Sequence, residues 1–272
     1  MTSMGAPAKI NLALVVGPRR SDGKHELVTV YERLQLADTL TLEPGHGIEV
    51  SGFAEDTLVA AALHHLAERA GVSPAWMITI RKRVPAAAGL GGGSSDAAAA
   101  LRLANSTLPA PVPDAELYDL AARLGADVPF FLTDGPQLGA GDGTSLTPVS
   151  LPRSYSVVLV LPASETKQST KSVYDAFDDR RGEIGFDERA AALRAALNRV
   201  SSAADLAELP KNDLARSPIA GELEQLGSFR ADVSGAGPVV YGLFESRPRA
   251  LQAGQALSSV GRVWVTAPAW YG

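Results

Sequence analysis

The stretch from Pro85 to Leu101 constrains this chain more than any other. Gly89, Gly91, Gly92 and Gly93 lead into Ser94, Ser95 and Asp96, and an alanine-rich run begins at Ala97. Glycine lets a backbone turn tightly and come close to a ligand. Ser94 or Ser95 is the expected cap of a helix over 95–105, whose first turn then presents free N–H groups and the positive end of the helix dipole. Together these features describe a phosphate cradle. No Lys-Ser/Thr follows the glycines, so the loop is not a Walker A loop, and its spacing does not meet the dinucleotide-binding fingerprint. A flexible linker before a helix is the plain alternative, but a linker needs neither the serines nor a helix start at its end.

A chain of 272 residues can hold one large or two ordinary domains with a real core. Apolar residues make up 46% and charged residues 20%, which is a globular composition. The net charge is −5, and no basic block or basic–aromatic interleaving is present, which argues against a nucleic-acid partner. The absence of cysteine rules out disulfides, thiolate catalysis and cysteine metal sites, and fits a reducing compartment. The apolar run at Ile10–Val16 is short and interrupted by Asn11, unlike a secretory signal. No segment is long enough to span a membrane. The expectation is a cytoplasmic monomer or homodimer that acts on a small molecule, without nucleic-acid or membrane partners.

Residues 8–16 alternate, with Ile10, Leu12, Leu14 and Val16 on one side and Lys9, Asn11, Ala13 and Val15 on the other. That pattern predicts a strand with one well-buried face. Further strands are expected at 27–34, 39–43, 77–80, 156–161, 239–244 and 263–266. Helices are expected at 57–70, at 95–105, after a cap at Asp114 and up to Gly125, and at about 187–200 and 218–227. The segment between the strand at 156–161 and residue 185 reads as polar. Composition shifts near 148–152, which places a boundary between parts 1–149 and 150–272. Strands and helices mixed without strict alternation predict an α+β fold with two lobes.

Phosphoryl transfer needs more than a cradle. It needs a group that positions or deprotonates the nucleophile, and positive charge for the transferred phosphoryl. Asp127, after a helix end in Gly125-Ala126-Asp127-Val128-Pro129, is a candidate for the first role. It fits equally as a cap for the next helix, with Pro129 in the first turn. Lys9 is a candidate for the second, although an ordinary solvated strand face is the default for Lys9 and Asn11. A second glycine cluster, Ser234-Gly235-Ala236-Gly237-Pro238, is either a tight turn or a close approach to a ligand. The four histidines lack metal-ligand spacing, and no hydrolase elbow, zinc-protease motif or protein-kinase motif is present.

Three segments, Ala6–Leu12, Gly89–Ser95 and Ser234–Pro238, occur in the order of the three motifs of the GHMP small-molecule kinases, and the chain resembles that family over nearly its whole length. The segments Arg20–Leu27, Gly125–Phe131, Ser169–Tyr174 and Asn212–Leu214 are most similar to the branch whose acceptor is 4-diphosphocytidyl-2-C-methyl-D-erythritol, in non-mevalonate isoprenoid synthesis. The resemblance implies a two-lobed α+β fold with the site in the cleft between lobes, and phosphorylation of the tertiary 2-hydroxyl. A different small alcohol acceptor is the alternative. It implies ATP as donor, held by Lys82, Pro85, Gly89, Leu90, Gly91, Gly92, Gly93, Ser94 and Ser95, with Mg²⁺ that Ser94 or Ser95 helps to hold. Asp127 would be the base and Lys9 its charged partner. Asn11 and Thr170 would hold the acceptor, His25 would read the cytosine edge, and Tyr174 would stack on it. Two positions depart from the family pattern: Lys24 stands where an aromatic residue is usual, facing the ligand or its diphosphate, and Thr57 stands where an asparagine is usual.

Overall fold

In the computed structural model, residues 1–53, 58–163 and 169–269 are described. Thr57 therefore lies outside the described residues. The chain forms two compact units, and it passes between them along its first two strands, β1 (Thr2–Arg19) and β2 (His25–Pro44).

One unit comprises Met1–Ala8, Leu36–Ala86 and Gly91–Asp134. It carries β3 (Ile48–Ser51), α1 (Leu58–Ala70), β4 (Trp76–Arg81), α2 (Gly92–Asn105), α3 (Asp114–Leu124) and α4 (Val128–Leu132). β4 pairs antiparallel with Thr39–Pro44 of β2 and parallel with β3. The helices pack on one another through buried faces, including Ala62, Leu63 and Leu66 of α1 and the alanines of α2. Small side chains allow such close approach, which explains why α2 is so rich in alanine.

The other unit comprises Lys9–Gln35, Ala87–Leu90 and the chain from Gly135 onward. In it β5 (Gln137–Gly141) pairs antiparallel with Leu27–Tyr31 of β2, and β6 (Ser145–Pro148) pairs with β5. β7 (Ser156–Pro162), β8 (Arg230–Val233), β9 (Val240–Phe244) and β10 (Gly261–Thr266) form a separate antiparallel sheet in the order β10-β7-β9-β8. The helices are α5 (Thr170–Asp179), α6 (Phe186–Leu197), α7 (Pro218–Gln225) and α8 (Arg247–Ala256). Apolar residues of α7 and α8, among them Leu223 and Ala253, join Val158, Val240 and Phe244 of that sheet in one core.

Among the described residues, Arg230 is the largest fully buried side chain. Its guanidinium donates to the carbonyls of Leu206, Ala207, Leu209, Pro210 and Leu12, and to the Tyr241 hydroxyl. Buried carbonyls need partners, and this one fork supplies them to the end of a 3-10 helix (Ala203–Glu208), to the chain that follows it before Asn212, and to β1.

The expected strands and helices are present, with extended or shifted ends. Four corrections have physical causes. β1 is buried on both faces: Lys9 is 3% exposed and Asn11 4%, while Ala13 and Val15 are fully buried. Alternation of apolar and polar residues therefore marks a polar interior here, not a solvated face. Neither Ser94 nor Ser95 caps α2; the cap is Gly91, in the left-handed region at φ +67°, and the helix starts at Gly92. Pro113, not Asp114, is the cap of α3, with Asp114 its first residue. The polar segment before residue 185 contains α5, whose buried stripe is only Val173 and Phe177. The short strands β3, β5, β6 and β8 and the helix α8 carry too few apolar residues to stand out by periodicity.

Candidate active site

In the first unit the C-terminal part of the glycine stretch opens directly into α2, so the first-turn N–H groups follow Gly91. A Cβ on Gly92 would lie 3.1 Å from Val84 Cγ1 and 3.4 Å from Lys82 Nζ, so a side chain there would press on both. Lys82 lies beside the loop. Its ammonium bridges Asp38 Oδ2 at 2.6 Å and Asp96 Oδ2 at 2.7 Å, and both carboxylates are fully buried. Burial would lower the Lys82 pKa, but the hydrogen bonds to the two aspartates outweigh it and the value is raised. Asp38 also accepts from the N–H groups of Arg83 and Val84. The staple thus joins β2, the segment after β4, and α2, and it fixes the entry to the loop. Pro85 follows it, half-buried.

The two serines differ. Ser95 Oγ is buried and has no hydrogen-bond partner among the described residues, whereas Ser94 is half-buried. Asp127 occupies the N-cap position of α4 without a side-chain capping hydrogen bond, and Pro129 lies in the first turn as expected.

In the second unit the other part of the glycine stretch, Ala87–Leu90, is tied to the second glycine cluster and to β1. Ser234 Oγ donates to Gly89 O at 2.9 Å, Val239 N to Ala88 O at 3.2 Å, and Lys9 N to Leu90 O at 2.9 Å. Gly89 has φ +80°, and a Cβ there would sit 2.2 Å from Ser234 O. Glycine is therefore required. Ala87, at φ +50°, takes a left-handed conformation that costs an L-residue about 1 kcal/mol or more.

Lys9 Nζ donates to Asn11 Oδ1 at 2.7 Å, Asn11 Nδ2 to Thr29 Oγ1 at 2.8 Å, and Thr29 Oγ1 to Ala13 O at 2.7 Å. Gly235, at φ +58°, faces this group: a Cβ there would lie 3.3 Å from Asn11 Oδ1 and 3.6 Å from Lys9 Nζ. Asn212 Nδ2 holds Gly235 O at 2.6 Å and Val233 O at 2.9 Å, and Asp213 accepts from Val16 N. The Asn212–Leu214 segment thus fastens the second glycine cluster and β1.

His25 is buried in the same unit. Its ring stacks on Tyr174 with centroids 4.8 Å apart, and Nε2 lies 2.7 Å from Asp178 Oδ1. Desolvation pushes Asp178 up, but hydrogen bonds from His25 and Arg19 prevail and lower its pKa. Lys24 Nζ is bound to Asp142 Oδ2 at 2.5 Å. Burial raises the Asp142 pKa, yet Lys24 together with the Thr144 hydroxyl and N–H holds it at about 2. Thr170 is the exposed first residue of α5, after the Ser169 cap.

Within the second unit the structure thus brings together Lys9, Asn11 and the second glycine cluster, and separately His25 with Tyr174. Within the first it joins Lys82 to the start of α2. Thr29, Asp38, Asp96, Asp142 and Asp178 were not singled out from the sequence. Asp96 follows the serines and Asp142 sits in a Gly-Asp-Gly turn, so both carried a local signal; Thr29 lies in a stretch that reads as ordinary strand, Asp38 just before another, and Asp178 in the segment that reads only as polar. Among the described residues no cluster of three or more His, Cys, Asp or Glu could hold a metal, and no helix is long and apolar enough to cross a membrane.

Comparison with known proteins follows the same lines. Residues 57–135 match the model of the GHMP kinases N terminal domain, and residues 217–263 match that of the GHMP kinases C terminal. A 4-diphosphocytidyl-2-C-methyl-D-erythritol kinase of Leifsonia xyli is 36% identical, covering 93% of this chain and 91% of that protein. One of Thermus thermophilus is 37% identical, covering 95% and 94%. A crystal structure of 4-(cytidine 5'-diphospho)-2C-methyl-D-erythritol kinase superposes with a TM-score of 0.80 at 34% identity, over 98% of this chain and all of that one. The Methanococcus jannaschii mevalonate kinase shares the fold, with a TM-score of 0.77 at 12% identity over 98% of each chain.

Proposed function

The chain belongs to the GHMP kinase family, and from that premise we propose how its own residues phosphorylate 4-diphosphocytidyl-2-C-methyl-D-erythritol at the tertiary 2-hydroxyl. It is an ATP-dependent kinase with the two-lobed α+β fold of that family. The division of the chain at 149/150 is part of the proposal, and the two family models match within the two parts.

The reaction joins the acceptor oxygen to the γ-phosphorus of ATP, breaks the bond from that phosphorus to the β-bridging oxygen, and releases ADP. The hydroxyl proton must leave as the new bond forms. Asp127 takes it, in a position where a helix start presents N–H groups rather than a competing base. Lys9 supplies positive charge to the oxygen that gains charge during transfer. The observation that carries this reading is Lys9 itself. It is a strand ammonium only 3% exposed, oriented by Asn11, and the absence of a side chain on Gly235 leaves the backbone of the second glycine cluster close beside it.

ATP lies along Pro85–Ser95, with its phosphates at Gly89–Gly93 and the first turn of α2. Lys82 sets this segment through Asp38 and Asp96 and offers its remaining N–H to the nucleotide. Magnesium bound with ATP supplies charge neutralisation. Of the two serines, Ser94 keeps exposed surface and is the one able to reach a cation, because Ser95 Oγ is closed off. His25 reads cytosine. Its Nε2 faces a carboxylate that only accepts, so Nε2 carries a proton and Nδ1 is the ring nitrogen left for the cytosine edge. Tyr174 extends the stacked surface, while Asn11 and Thr170 hold the methylerythritol hydroxyls.

A different alcohol acceptor is the second reading, and one observation favours it. Lys24, in place of a stacking ring, is held by Asp142. Coupled ADP release with ATP, Mg²⁺ and the cytidyl substrate, beside homoserine, mevalonate and galactose, separates the two. Selective turnover of the cytidyl compound is expected, and turnover of another acceptor alone would reject it. Asp127→Asn should remove most turnover and leave ATP affinity intact; near-normal turnover removes Asp127 from the role of base.

A further inference from the structure

Thr29 has no part in the mechanism above, yet it is fully buried at the end of the hydrogen-bond chain that begins at Lys9. A hydroxyl has one proton and can also accept. Thr29 spends its proton on Ala13 O, so toward Asn11 it can only accept. Asn11 must therefore turn its NH₂ to Thr29 and its carbonyl oxygen to Lys9. The flipped amide would set oxygen against oxygen at Thr29 and NH₂ against ammonium at Lys9. The direction of the whole chain, Lys9 to Asn11 to Thr29 to Ala13, is fixed at the hydroxyl.

The geometry points to Thr29 as a positioning residue for phosphoryl transfer. Its hydroxyl sets the polarity of the Asn11 amide, and the amide oxygen sets the Lys9 ammonium. This rests on the role given to Lys9 above. Thr29 touches neither substrate nor nucleotide in that role. Its two branches have separate tasks: the methyl packs toward β5, where a Cβ on Gly139 would lie 3.1 Å from Thr29 Cγ2, and the hydroxyl orders the amide. The strand pair could be filled equally well by valine if packing were all that mattered.

Substitution separates the tasks. Thr29→Ser keeps the hydroxyl and loses the methyl, Thr29→Val does the reverse, and Thr29→Ala loses both. Turnover of the cytidyl substrate, KM for ATP and thermal stability are measured for each. Misplacement of a working group by about 1 Å costs up to about 100-fold in rate. The expected result is therefore a kcat lower by about 10- to 100-fold in Thr29→Val and Thr29→Ala, with KM for ATP unchanged. Thr29→Ser should keep kcat close to that of the parent even where its melting temperature falls. The positioning role is overturned if Thr29→Ser loses as much kcat as Thr29→Val, or if Thr29→Val turns over normally. Should Thr29→Val not fold, the comparison of Ser with Ala carries the same decision. Lys9→Met is measured alongside. If it retains turnover, the role of Lys9 fails; if it is inactive while the valine variant is fully active, only the role of Thr29 fails.

Discussion

Glu32→Gln tests the electrostatics of the polar interior beneath β2. The Glu32 carboxyl is 1% exposed, and burial pushes its pKa from 4.5 to about 7. The Arg33 N–H at 3.0 Å, the Tyr155 hydroxyl at 3.4 Å and the charges of Arg153 and Arg33 oppose this without cancelling it. The folded protein thus holds the proton more tightly than the unfolded chain does. Stability from this group is complete below the unfolded value, and it is lost as pH rises through the folded one. The interval from 4.5 to about 7, at ~1.4 kcal/mol per pH unit, corresponds to roughly 3 kcal/mol. Glutamine has the same shape, keeps an acceptor for Arg33 N–H and carries no charge at any pH. Urea unfolding of parent and variant between about pH 5 and pH 8 should show the variant gaining on the parent as pH rises, by up to ~3 kcal/mol. A difference between them that stays constant over that range would refute the reasoning.

Lys82→Met leaves Asp38 and Asp96 buried without their common cation. The expected loss is about 3–5 kcal/mol by urea unfolding, and a loss under ~1 kcal/mol would show that the carboxylates find other partners. Gly89→Ala forces a Cβ to within 2.2 Å of Ser234 O, so the two glycine clusters must separate. Both melting temperature and ATP affinity by titration calorimetry should fall; an unchanged pair of values would mean the interlock is not needed.

The glycine loop, the helix behind it and most core strands were legible in the sequence because they depend on local signals: glycine runs, apolar periodicity and helix ends. The polar interior was not. Lys9 and Asn11 alternate with apolar residues just as a solvated face would, and only the burial of β1 on both sides reveals them as interior groups. Thr29 and Asp38 look like ordinary strand residues, and their roles exist through partners 16 and 44 positions away in sequence. The start of α2 was misread for a related reason. Serine is the usual cap, but here glycine at positive φ ends the loop and frees both hydroxyls from capping. The motif similarity supplied the role of Asp127, which local chemistry left balanced against capping, and that of His25, to which local chemistry gave none.

Arg230 grips main-chain oxygens, and a carbonyl is the same on every residue. Ala207 and Glu208 can therefore drift in identity while the path of the chain into Asn212 stays put, because the fastening does not read side chains. The cost of that freedom falls on a single position. Lysine has three donors and no planar fork, so it could not span carbonyls from β1 and from the segment after Leu206 at once. Tolerance to mutation in this region is thus concentrated in the loop and withdrawn from the strand residue that holds it.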